Sequence, residues 1–313
     1  MSTPQAPNVT PSSPVSVPRA VRLLAWLNLV GNIAIIGTGG AVRLTASGLG
    51  CPTWPTCTDA SWVPTSDLSG HSLIEFANRM MSPLLAVLAL ALVIVVWRLA
   101  HPIIGARALS GIILGGIVAQ AVLGGVTVLT GLNAIIVGAH FIASAVLVGI
   151  AAALVATVER TRRPYPNSST LPRWVPAISH TMSGALAVTL VLGVFTTGSG
   201  PHSGDDTVIR DSHLWQVFVE IHAIAAYLLV GTVAVLVFAA WRWRVAGPFR
   251  AAATALLGGI AVEIALGISQ ARLGIPGSLV AAHMILAGIL ITLAVWTMLA
   301  CRPAAHPSSG TGM

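Results

Sequence analysis

A chain of 313 residues that is 55% hydrophobic and only 8% charged lacks the polar surface of a water-soluble globule, for which about 25% charge is usual. Lipid is the solvent this composition suits, so the spanning architecture must be helices or a closed barrel. The net charge of +7 comes entirely from Arg set between apolar runs, which excludes a nucleic-acid patch and reads as membrane orientation.

In chain order, Met1–Val17 is rich in Pro, Ser and Thr and reads as a disordered tail over 1–18. It lacks the basic-then-apolar order of a cleaved signal peptide. Eight apolar runs follow, at 22–42, 72–98, 108–129, 134–157, 174–197, 214–241, 251–271 and 278–300. They are roughly 20 residues or longer and do not alternate, so they predict transmembrane helices rather than strands. Arg19, Arg22, Arg98, Arg107, Arg160, Arg162, Arg163, Arg173, Arg242, Arg244, Arg250 and Arg302 fall at one set of span ends. The opposite connections hold Arg43, Arg210 and Arg272 among Asp59, Asp67, Asp205, Asp206 and Asp211. The bias puts both termini in the cytoplasm, with a short disordered tail expected over 304–313.

Between the first two spans lies Cys51-Pro-Thr-Trp-Pro-Thr-Cys57, on the outer side. A disulfide is permitted there; a structural bridge and a reducible, redox-active one both remain open. Cys301, near the cytoplasmic end, is expected to stay a thiol. The second span carries Glu75, Asn78 and Arg79. Ionisable groups inside a membrane are costly and mark function by default. Glu75 and Arg79 stand at i,i+4, where they can pair. Alternatively, Glu75 faces a pocket as a proton acceptor or stabiliser of positive charge, and Arg79 pairs with a carboxylate of a ligand.

The chain repeats itself. Leu114-Gly-Gly-Ile117 recurs as Leu257-Gly-Gly-Ile260, Gly124 as Gly267, Gly131 as Gly274, and Ala139-His140 as Ala282-His283, all offset by 143 residues. Trp97-Arg98 recurs as Trp241-Arg242. Four spans per unit give a parallel repeat about an axis along the membrane normal. The prediction is an all-α polytopic membrane protein of eight transmembrane helices in two pseudo-symmetric four-helix bundles, 19–160 and 161–303. The small residues Gly115, Gly116, Gly124 and their copies allow close helix approach.

Of nine His, only His140, His222 and His283 lie well inside spans. Each sits at a similar depth, on the order of 10 Å below the outer surface at about 1.5 Å per residue. Two imidazoles at one level on opposing helices are what a low-spin haem iron needs; His222 and His283 meet that condition. An intramembrane His also serves as a helix–helix hydrogen-bonding group. His140 matches His283 in the repeat, but His222 is matched by Asn78, a poor iron ligand. The first bundle is thus expected to hold its guest weakly and the second permanently. His71 either caps the second helix or ligates a haem nearer the surface. His101, His180, His202, His213 and His306 read as solvated, the role of Glu220 is open, and Glu263, opposite Gln120 in the repeat, reads as a buried hydrogen-bonding group.

Gly39-Gly-Ala-Val-Arg-Leu-Thr-Ala-Ser-Gly48, the Cys51–Cys57 loop, Glu75 to Arg79 and the three span histidines together resemble the haem A synthase family over nearly the whole chain after the tail. The resemblance implies oxidation of the C8 methyl of haem O to the formyl of haem A for cytochrome oxidase. It implies haem B held by His222 and His283, and haem O as substrate in the first bundle near His140, Asn78 and Arg79. It also implies Glu75 in catalysis and Cys51 paired with Cys57. The setting implied is the bacterial plasma membrane, with haem O synthase and cytochrome oxidase assembly factors as partners. Many members have His-Arg where this chain has Asn78-Arg79, and the matching pair in the second half is His222-Ala223. A non-catalytic di-histidine cytochrome that passes electrons is the alternative, and a haem transporter a more distant one.

Overall fold

The computed structural model describes residues 16–66, 70–99, 103–162, 171–202, 204–205, 214–245 and 247–301. Residues 1–15 and 304–313 of the two expected tails lie outside the described residues, as do His101, His213 and His306. Eight helices are described: α1 (Arg19–Leu44), α2 (Gly70–Leu99), α3 (Ala106–Leu129), α4 (Ala134–Arg162), α5 (Val175–Ser199), α6 (Trp215–Arg242), α7 (Pro248–Arg272) and α8 (Gly277–Ala300). All eight are long and apolar enough to cross a membrane. Backbone groups in hydrocarbon must bond within their own segment, and these runs give continuous helix, even past Pro83 inside α2.

The expected limits hold to within three residues except at one end: the fourth run stops at 157 in hydropathy, but α4 continues to Arg162. The extra turn is held by charge. Glu159 accepts from Arg162 at 3.1 Å, from Arg22 of α1 at 2.5 Å and from the Trp26 indole at 3.1 Å.

α1 packs on α2 and α4, and α3 on α2 and α4, closing a four-helix ring. α5 packs on α6 and α8, and α7 on α6 and α8, closing another. The rings meet through α1 with α8, α4 with α8, and α4 with α5. Leu29, Leu92, Ile113, Val148 and Val155 are buried inside the first ring; Met182, Val233, Leu236 and Leu256 are buried inside the second. Large apolar side chains such as Leu23, Val87 and Leu228 point outward, as lipid permits.

Equivalent contacts recur at the offset of 143. A Cβ on Gly116 would collide with Leu147, and one on Gly259 would lie 2.6 Å from Leu290. The α3–α4 and α7–α8 turns also match. Gly131 (φ 59°) precedes Leu132 (φ 57°), and Gly274 (φ 75°) precedes Ile275 (φ 59°). Leu132 N–H donates to Thr127 O at 2.8 Å and Ile275 N–H to Gln270 O at 2.9 Å. Two successive left-handed residues reverse the chain, and glycine takes that conformation at no steric cost. By contrast, Gly115 and Gly258 face open space, so only one glycine of each pair supports close approach.

The connections on the histidine side are tied together. Gly48 N–H donates to Gly204 O at 2.8 Å, Arg43 donates to Thr197 O at 2.5 Å, and His202 Nε2 to Ile275 O at 3.0 Å.

Candidate functional site

His222 is seven residues into α6 and His283 six into α8, about 10 Å below the helix ends at 1.5 Å per residue. Their ring centres lie 6.5 Å apart. A metal held by two imidazole nitrogens at about 2 Å each, with each ring centre about 1 Å further on, separates the centres by roughly 6 Å. The separation is close to that of two imidazoles sharing one iron, with the ring planes turned 68° to each other. His222 Nδ1 lies 2.9 Å from Thr189 O of α5. A carbonyl only accepts, so Nδ1 carries the proton and Nε2 presents its lone pair. His283 Nδ1 lies 3.4 Å from Glu263 Oε1 of α7, close but short of an aligned hydrogen bond.

Among the described residues, no three His, Cys, Asp or Glu converge on one point. A metal held by two imidazoles takes its remaining ligands from elsewhere, and a porphyrin is one such source.

A glycine faces each span histidine. A Cβ on Gly193 would lie 3.0 Å from His222 Cε1, one on Gly267 3.9 Å from His283 Cε1, and one on Gly124 3.3 Å from His140 Cε1. The absent side chains leave the rings room on the neighbouring helix. Gly124 and Gly267 were visible in the repeat; Gly193 had no counterpart to signal it.

His140 sits six residues into α4, at the depth of the other two. Its Nδ1 is buried without a hydrogen-bond partner. Gln120 of α3 donates to His140 O at 2.9 Å and to Ser144 Oγ at 2.5 Å, so it serves the α4 backbone rather than the ring. Asn78 turns its Oδ1 to the Thr38 hydroxyl of α1, 2.7 Å away. The first ring thus presents one imidazole and one amide where the second presents two imidazoles.

Glu75 and Arg79 take the pairing geometry. Arg79 Nε and Nη2 donate to Glu75 Oε1 at 3.0 and 2.5 Å. Arg79 also donates through Nη1 to Thr53 O at 2.8 Å and Thr56 O at 3.1 Å, and through Nη2 to Cys51 O at 2.8 Å. All five guanidinium N–H groups are thereby engaged. A ligand carboxylate would meet Arg79 in exchange for one of these acceptors. Glu75 is buried, and its Oε2 accepts the Cys51 N–H at 2.6 Å.

Cys51 and Cys57 form a disulfide, with sulfurs 1.98 Å apart. The loop it closes is clamped to α2 by Glu75 and Arg79. Its Trp54 lies against Gly125 of α3, where any Cβ would collide with the indole. Gly125 adjoins Gly124, the residue facing His140. The loop thus covers the mouth of the first ring on the histidine side. His71 Nδ1 lies 2.9 Å from Ser47 Oγ. His180 Nδ1 donates to Pro176 O at 2.7 Å, and Glu220 is exposed on α6.

These features define an integral helical membrane protein with a two-imidazole site between α6 and α8 and a first ring, α1–α4, covered by the disulfide loop. Residues 22–295 match the COX15-CtaA family, described as cytochrome oxidase assembly protein, and the chain belongs to that family. It is 28% identical over 342 aligned positions to a protein of Rhizorhabdus wittichii named heme A synthase, covering 89% of this chain and 94% of that one. Proteins of the same name from Lysinibacillus sphaericus and Staphylococcus saprophyticus are 32% and 35% identical over 124 and 122 residues, each match covering 38% of this chain and 40% of the relative.

Proposed function

We propose that the chain is a haem A synthase, oxidising the C8 methyl of haem O to a formyl group. Methyl to formyl is a four-electron oxidation: two hydroxylations give a gem-diol, which loses water. The observation that carries the reading is the facing pair His222 and His283 at 6.5 Å in a chain of this family. In this reading the bundle 161–303 holds haem B through those two rings. Haem B there supplies one-electron chemistry.

The bundle 19–160 takes haem O as substrate. His140 is its one imidazole, with Asn78 opposite in the repeat; a single ligand suits a guest that must enter and leave. The matched packing and turns at the offset of 143 support reading the two bundles as pseudo-symmetric units. Glu75 is the catalytic carboxylate. Arg79 and the Cys51 N–H fix its position, and an ionised carboxylate held there would stabilise positive charge on a substrate carbon. Arg79 acts by positioning Glu75 and the disulfide loop. The Arg bias places both termini in the cytoplasm of a bacterial plasma membrane, with the loop outside. Haem O synthase and cytochrome oxidase assembly factors are the protein partners.

Coexpression with a haem O synthase tests this. Haem A or its hydroxylated precursor is expected among the extracted pigments. Well-folded, haem-loaded protein that yields neither returns the reading to an electron-passing cytochrome. Glu75→Gln separates the two further: conversion is lost and haem B stays if the carboxylate works on substrate. Gln is preferred to Ala because Ala would also release the loop from α2.

A further inference from the structure

We propose that Glu263 is a positioning residue for the second haem ligand: its carboxyl oxygen accepts a hydrogen bond from the Nδ1–H of His283 and turns Nε2 of that ring towards the iron. The proposal rests on the reading that His222 and His283 grip haem B. Four observations carry it.

Glu263 stands in the middle of α7, in the apolar sequence Gly258-Gly-Ile-Ala-Val-Glu-Ile-Ala265. A carboxyl there is costly unless something uses it. Its side chain is 14% exposed, Oε1 lies 3.4 Å from His283 Nδ1, and Oε2 is buried with no partner. His283 Nδ1 likewise has no aligned bond; the acceptors beside it both belong to Glu263, the carboxyl Oε1 and the backbone carbonyl, and the carboxyl is the one a substitution can remove. A small rotation of either side chain closes the contact.

The other ligand is treated the same way. His222 donates a hydrogen bond from its Nδ1–H to Thr189 O on the adjacent helix. Ligating histidines as a rule hand their second nitrogen to a carboxylate or carbonyl, which fixes tautomer and ring plane. Glu263 completes that rule for the second ring.

The repeat supplies a contrast within the same chain. Gln120 occupies the position of Glu263, offset by 143, but its amide bonds His140 O and Ser144 Oγ. Nδ1 of His140 and Nδ1 of His283 both lack an aligned partner, but the carboxyl oxygen that lies 3.4 Å from the second has only an amide in its place in the first half.

The test uses full-length protein in native membranes and the apolar variants Glu263→Leu and Glu263→Met, both ordinary residues for a membrane helix. Transfer of haem B to a soluble haem scavenger is expected to quicken by about 10–100-fold, the usual effect of losing such a partner. The low-spin spectrum should give way to a mixed-spin one, and the midpoint potential of the remaining haem should move positive as electron donation through the ring weakens. Glu263→Gln keeps an oxygen acceptor and should restore most of the retention and the spectrum. Wild-type release, spectrum and potential in either apolar variant overturn the proposal. So does a Gln variant as loose as the Leu variant. His283→Ala keeps the two readings apart: if that variant retains the low-spin haem B spectrum, the haem site itself is misassigned, whatever Glu263 does.

Discussion

Arg79 joins a carboxylate, a disulfide loop and a transmembrane helix through five hydrogen bonds. A Lys at the same place keeps the charge but offers three donors from one point and no planar fork. Arg79→Lys should therefore loosen the loop from α2 and expose Cys51 and Cys57, both fully buried. In a graded thiol titration read by alkylation gel shift, the bridge should reduce at lower reductant concentration than in the parent; an unchanged midpoint would mean the clamp is idle. A second prediction concerns Asn78. Asn78→His restores the imidazole that the repeat lacks, and protein loaded with haem O should then gain a second low-spin signal, because the guest is held on both faces; a spectrum like the parent's would mean that position 78 does not face the guest. The i,i+4 pairing of Glu75 and Arg79 was legible because helical spacing alone brings the two together. The loop attachment was not. Its acceptors are the carbonyls of Cys51, Thr53 and Thr56, and backbone oxygens carry no sequence signature. Thr189, which orients His222 by its carbonyl, was hidden for the same reason.

The helices answer to length and small-residue placement. Spans were legible because hydrocarbon thickness sets a run of about 20 apolar residues. The last turn of α4 was missed because a carboxylate shared by Arg22, Trp26 and Arg162 extends the helix past its apolar stretch. The Gly-Gly pairs show a finer limit. Sequence marks Gly115 and Gly116 alike, yet only Gly116 meets Leu147 of α4. Which glycine faces a neighbour depends on helix rotation, and α3 has apolar residues all round, so its pattern does not declare a buried face. Gly116→Ala and Gly259→Ala should each destabilise the protein by about 1–3 kcal/mol through overpacking against Leu147 and Leu290. Gly115→Ala and Gly258→Ala have open space and should stay within about 0.5 kcal/mol. Thermal melting in one detergent compares all four; equal losses across the two classes would contradict the packing described.

At the scale of the molecule, eight spans put both chain ends on one side, and the disulfide loop and all three span histidines near the other. Which side is outermost rests on the Arg bias alone, and a labelling experiment decides it. Leu273 follows α7 on the histidine side and Ile104 precedes α3 on the opposite side; they are 66% and 88% exposed, so a Cys at either is open to reagent. The native background is low for a physical reason. The disulfide protects Cys51 and Cys57. Burial pushes the Cys301 thiol up to about 11, against a partly opposing hydrogen bond with Ser179. A raised thiol pKa leaves the group protonated across neutral pH, and the thiolate is the form that reacts. An impermeant maleimide applied to intact cells at pH 7 should therefore label Leu273→Cys directly and Ile104→Cys only after the membrane is opened. The reverse pattern would put the Cys51–Cys57 bridge in the reducing cytoplasm, where such bonds do not persist, and would remove the orientation on which the loop's place outside depends.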